Sequence, residues 1–143
     1  MNEQKAKFKR QTMLGFILLL CLTVLAACGG QTLSEDFDEA ALKSSVEEII
    51  QIIADKDSDA LRDLCNVTMK EALTDDVLSQ IYEAIDEGGA FEEITDISFA
   101  GTEDSATEEE FALVVANAQY ENRKFTYTMT FTKQMKLAGL FFK

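Results

Sequence analysis

The 143-residue chain carries three cysteines, three tyrosines and no histidine, which narrows the chemistry its side chains can perform. A serine or cysteine nucleophile would lack its usual base, and no glycine-rich phosphate loop is present. Cys65 lies in "ALRDLCNV", where Leu61, Leu64 and Cys65 share one helical face, the place of a buried small hydrophobe. A reactive thiol needs a cationic neighbour to lower its pKa, and Arg62 is the only nearby base. "DKDSD" spaces Asp55, Asp57 and Asp59 like the opening of a calcium loop. Ala60 stands where that loop turns on glycine, however, and Asn66 where its bidentate glutamate belongs. The segment therefore reads as a solvated interhelical turn that caps the next helix. Glu108, Glu109 and Glu110 read as an exposed loop at the start of a strand. Neither cluster commands a metal, and no cofactor is implied.

The remaining thiol of interest is Cys28. Lys5, Lys7, Lys9 and Arg10 precede an uncharged stretch from Gln11 to Ser34, whose apolar heart runs from Met13 to Ala27. That pattern describes a secretory signal peptide and is short for a membrane span, which needs about 20 apolar residues. Leu25, Ala26 and Ala27 before Cys28 resemble the lipobox of bacterial lipoproteins. The resemblance implies transfer of a diacylglyceryl group to the Cys28 thiol and cleavage between Ala27 and Cys28. Residues 1–27 are then the signal peptide, and residues 28–35 are the lipidated N-terminus and a short tether. Several acyl chains, each gaining about 0.8 kcal/mol per buried methylene, hold a protein to a membrane where one does not. The expected location is the extracytoplasmic face of the bacterial cell membrane.

Charge agrees with that location and excludes one class of partner. Loss of residues 1–27 leaves nine Lys plus Arg against twenty-five Asp plus Glu, a formal net of −16 compared with −13 for the whole chain. Such a surface repels phosphate backbones, so nucleic acid is not an expected partner. Cys21 leaves with the signal, so Cys65 is the one mature thiol and cannot form an intrachain disulfide.

The elements that must carry any site fall into a helical half and a strand half. Ser34 is the expected cap of a first helix whose stripe is Leu42, Val46, Ile49, Ile50 and Ile53, with Glu39 and Lys43 as an outer ion pair. A second helix starts near Ser58, and a third follows Thr74, presents Val77, Leu78, Ile81, Tyr82 and Ile85, and ends at Gly88 and Gly89. From Phe91 the period changes to two. Phe91, Ile94, Ile97 and Phe99 define an irregular first strand, and a hairpin is expected to turn at Asn122 and Arg123. That turn pairs Tyr120 with Phe125, Ala118 with Tyr127, Ala116 with Met129 and Val114 with Phe131. A turn near Gln134 and Met135 leads to a last strand with Ala138, Leu140 and Phe142 on the core face. Leu137, Gly139 and Phe141 then point outward.

The order of lipobox, long helix, "MKEALT" (Met69–Thr74), "GGAF" (Gly88–Phe91) and "KLAGLFF" (Lys136–Phe142) resembles a family of uncharacterised domains in Gram-positive lipoproteins. That family is similar to the nuclear transport factor 2-like superfamily. The resemblance implies, for residues 36–143, an α+β fold with N-terminal helices packed on a curved four-stranded antiparallel sheet. It also implies a concave pocket, which Tyr82, Phe99, Tyr120, Tyr127, Met129 and Phe142 would line. Two functions follow as expectations. One is a small-ligand-binding or protein-interaction module without catalysis. The other is a cavity enzyme of isomerase or dehydratase type, in which a pocket tyrosine works with Asp63 or Asp96 in a dry site. On the outer sheet face, Phe111, Leu113, Val115 and Phe141 among Thr126, Thr128, Thr130 and Thr132 suggest a weak symmetric homodimer, unless residues 31–36 or the first helix cover that face.

Overall fold

The computed structural model describes residues 30–143, so the signal segment and the lipobox, with Cys28, lie outside the described residues. Four helices precede four strands: α1 (Glu39–Ala54), α2 (Ser58–Leu64), α3 (Val67–Ala72), α4 (Asp75–Asp86), β1 (Phe91–Glu103), β2 (Glu110–Tyr120), β3 (Lys124–Phe131) and β4 (Leu137–Phe142). The strands form one open antiparallel sheet in sequence order, and the helices pack against one of its faces.

Helix α1 buries all five residues of its apolar stripe. Its cap is Asp38 rather than Ser34, with Asp38 Oδ1 accepting from Ala41 N at 2.7 Å. Phe37 just before the cap and Leu42 in the first turn are both buried, an arrangement that fixes how the chain enters the helix. Ser34 instead closes a turn toward Asp36 N. Lys43 stands 3.9 Å from Glu47, not beside Glu39. Asp57, Asn66 and Thr74 cap α2, α3 and α4, each accepting from a backbone N–H three residues on. The α4 terminus closes through Gly89, whose φ of 77° suits glycine.

The sheet explains the uneven apolar spacing of its first strand. Register shifts between Phe91 and Glu93 and between Ile94 and Asp96 leave Glu92 and Thr95 as extra residues. Each bulge reverses the alternation once, so Phe91, Ile94 and Ile97, three apart, keep one face. Across the core face, Ile97, Ala116, Tyr127 and Phe142 form one row and Phe99, Val114, Met129 and Leu140 the next. Small residues on β2 oppose large ones on β3, which lets the layer interdigitate.

The hairpin differs from the expected register by two residues. Tyr120 N donates to Arg123 O, making Glu121 and Asn122 the turn. Ala116 therefore faces Tyr127, and Ala118 faces Phe125. A shift of two preserves the face of every side chain. The last strand departs more. A bulge at Ala138 places Leu137 opposite Phe131, so Leu137 is fully buried instead of pointing outward.

Enlarging Ala116 or Ala118 to Leu is expected to cost about 1–3 kcal/mol by overpacking, whereas Thr128→Val on the opposite face should cost far less. Urea denaturation of residues 31–143 measures both. Equal losses would contradict the assignment of faces.

Candidate functional site

Of the six residues expected to line a concave pocket, three are core. Tyr120, Tyr127 and Met129 have no solvent exposure, although Tyr120 also backs an open cleft of about 370 Å³ whose walls include Ala54, Ile85 and Phe91. Tyr120 packs edge-on against Phe91 and Phe125, with ring centroids 5.4 and 5.0 Å apart, and Tyr127 lies 5.8 Å from Phe142. The two hydroxyls meet each other at 2.7 Å. Burial pushes both phenols above their ordinary pKa, and the bond from Tyr120 pushes Tyr127 further. Both therefore remain neutral well into alkaline solution.

The other three are half-buried and spread apart. Tyr82 reaches Ser58 Oγ at 3.0 Å. Phe99 lines an open cleft of about 370 Å³ between α1 and β1, with Lys43, Glu47, Ile94 and Ile97 among its walls. Phe142 closes the aromatic cluster. Asp63 pairs with Lys70 at 3.2 Å, and Asp96 is exposed on β1. The tyrosine hydroxyls thus engage Ser58 and one another, and neither acid shares a hydrogen bond with them.

The acidic clusters serve local structure. Asp55 accepts from Gln51 Nε2, Asp57 caps α2, and Asp59 stands 3.9 Å from Arg62. Among the described residues, no group of three or more potential ligands is gathered for a metal ion. In the β1–β2 loop, Asp104 Oδ1 accepts from Ala106 N and Thr107 N, and these bonds hold its carboxyl below the usual range. Cys65 is buried and donates to Leu61 O, and burial raises its pKa, as an unreactive thiol requires.

What the fold leaves open is the other side of the sheet. Thr102 and Phe111 begin it, followed by a row of Ala100, Leu113, Thr130 and Gly139 and then a row of Ser98, Val115, Thr128 and Phe141. None of these ten residues carries a charge, in a chain with twice as many acidic as basic residues. Phe141 is 61% exposed, and its row-mates on β2 and β3 are half-buried. The next row brings Asp96, Asn117 and Thr126 together, and Lys143 exchanges both backbone hydrogen bonds with Thr126.

Two fastenings of the N-terminal segment were not legible in local sequence. Gly101 N donates to Gln31 O at 2.7 Å, an antiparallel bridge at the edge of β1. Lys133 Nζ bonds both Asp36, at 2.7 Å, and Glu110, at 2.6 Å, and these contacts raise its pKa. Partners so far apart in sequence leave no periodic or motif signal.

No curated protein matches the chain. The fold is similar to that in the NMR structure of a protein from Ruminococcus gnavus ATCC 29149, with a TM-score of 0.70 and 19% identity, covering 78% of this chain and 96% of that one. At that identity the likeness is one of fold. A family profile described as a protein of unknown function, DUF3887, matches residues 46–140, more than half of the sequence. The chain therefore belongs to the DUF3887 family.

Proposed function

We propose that this protein is a lipid-anchored, extracytoplasmic interaction module of nuclear transport factor 2-like fold, tethered through Cys28 and working through the outer face of its sheet. The observation that carries the reading is the uncharged outer face itself. A protein of net −16 after processing keeps its charges off ten neighbouring residues there, while Tyr120, Phe125, Tyr127 and Phe131 fill the side against the helices. Depletion of charge around an exposed aromatic is the composition of an interface core. The helices, four strands and aromatic packing support the superfamily assignment without adding an activity to it.

The face is self-complementary. With a two-fold axis parallel to the strands, β4 of one copy lies over β1 of the other. Phe141 then covers the small Ser98 and Ala100 of the second copy, and Asp96 faces the second copy's Lys143. Four strands at about 4.8 Å spacing give a patch well below the roughly 800 Å² per partner of a stable complex, so the pair is weak. Sedimentation of residues 31–143 at rising concentration is expected to show a monomer–dimer equilibrium. Phe141→Glu should weaken it at least tenfold by burying a charge on each side. A monomer at every concentration, unaffected by Phe141→Glu, would remove this surface from the account.

A further inference from the structure

The fastening of Gln31 on Gly101 has a direction. The bridge is antiparallel and sets Gln31 beside Gly101, two residues from Glu103, the end of the sheet that carries the β1–β2 and β3–β4 loops. Only residues 29 and 30 lie between Cys28 and Gln31, and the reach from Cys28 to Gln31 is about 10 Å when fully extended. The contact at Gly101 is close: a Cβ built there would stand 2.5 Å from the Thr32 carbonyl oxygen, so the segment crosses where only glycine fits. Asp36 on Lys133 and the buried Phe37 secure the segment further along.

We propose that this strap stands the domain upright on the bilayer, with the loop end of the sheet facing the lipid surface and the strands running along the membrane normal. The proposal rests on the lipid anchor at Cys28 and adds what the anchor alone does not specify, an orientation. The lipid-facing end includes Glu103, Asp104, Glu108 and Glu109, which are exposed, and Lys133, which is already engaged by Asp36 and Glu110. Such an end meets zwitterionic lipid without penalty and is repelled by anionic headgroups. The β2–β3 turn and the C-terminus point away from the membrane. The outer sheet face then looks sideways along the bilayer, where other anchored proteins are. Two copies in one bilayer must also be related by an axis along the membrane normal. The upright pose makes that axis parallel to the strands, the arrangement that brings Phe141 over Ser98 and Ala100.

The test uses the lipidated protein purified from bacterial membranes and reconstituted into phosphatidylcholine vesicles carrying a headgroup quencher. Cys28 is blocked by its lipid and Cys65 is buried, so a single introduced thiol takes the fluorophore. A label at Ala106→Cys, in the β1–β2 loop, is expected to be quenched at least threefold more than one at Lys124→Cys, beside the far turn. Gly101→Val, which forces the strap off β1, is expected to reduce that difference. Equal quenching at the two positions, or a bias that survives Gly101→Val intact, would overturn the proposal. Flotation of the unlabelled protein with the vesicles reports the anchor separately. Protein that fails to float contradicts lipidation, whereas floating protein with unbiased quenching contradicts only the upright pose.

Discussion

Tyr127→Ala is expected to destabilise the domain by about 3–5 kcal/mol, the range for deleting a fully buried aromatic ring. The ring has no exposure, sits across from Ala116, and is flanked by Phe125 and Phe142 at 6.5 and 5.8 Å. An alanine opposite cannot fill the space, so the cavity persists. The hydroxyls sharpen the test. Tyr120→Phe or Tyr127→Phe alone leaves one buried hydroxyl without its partner, a cost of about 1–3 kcal/mol, whereas changing both removes donor and acceptor together and should be nearly neutral. Urea midpoints of the wild type and the three phenylalanine variants give the coupling directly; additive losses would mean that the 2.7 Å pair contributes nothing. The pair also has an alkaline signature. Both phenols are raised in the folded state, so above about pH 10 the unfolded chain releases protons that the folded chain retains. Their contribution is complete below that pH and is lost as pH rises through the folded values. The double phenylalanine variant should lose less stability above pH 10 than the wild type does.

The second large effect concerns the anchor. Cys28→Ser is expected to abolish incorporation of labelled fatty acid and to move the protein from the membrane fraction into unprocessed or released forms. Serine keeps the size of the side chain but removes the sulfur nucleophile that accepts the diacylglyceryl group. With the acyl chains gone, the loss is all-or-none, because each buried methylene contributes about 0.8 kcal/mol and a chain has more than ten. Cys65→Ser serves as the control, since its thiol is buried. Labelling that persists in Cys28→Ser would remove the lipoprotein reading and, with it, the upright pose.

Much of the fold could be read from periodicity, because the core faces are set by local spacing. The α1 stripe from Leu42 to Ile53 appears as expected, and the three-residue steps from Phe91 to Ile97 already encode the two bulges of β1. Boundaries were harder where two residues compete for one role. Ser34 and Asp38 are both good caps, and burial of Phe37 favours Asp38. The hairpin turn fell at Glu121 and Asn122 because tertiary bonds hold it: Asn122 N donates to Gly88 O, and Glu121 Oε2 accepts from Ala90 N. Leu137 faces the core through a bulge with no composition signal, and α3 is too short to show a period. The site was less legible than the fold. An aromatic stripe reads the same whether it lines a pocket or fills a core, and three of the six pocket candidates are core. The open face emerged only once the register aligned uncharged residues from four strands, and the strap only once Gln31 met Gly101.

Intact mass spectrometry of the protein extracted from bacterial membranes tests most directly whether Cys28 is the mature N-terminus. The expected species begins at Cys28 and is heavier by a diacylglyceryl group, with or without a further acyl chain on its amine. A mature chain beginning at any other residue, or an unmodified Cys28 on membrane-bound protein, would contradict it.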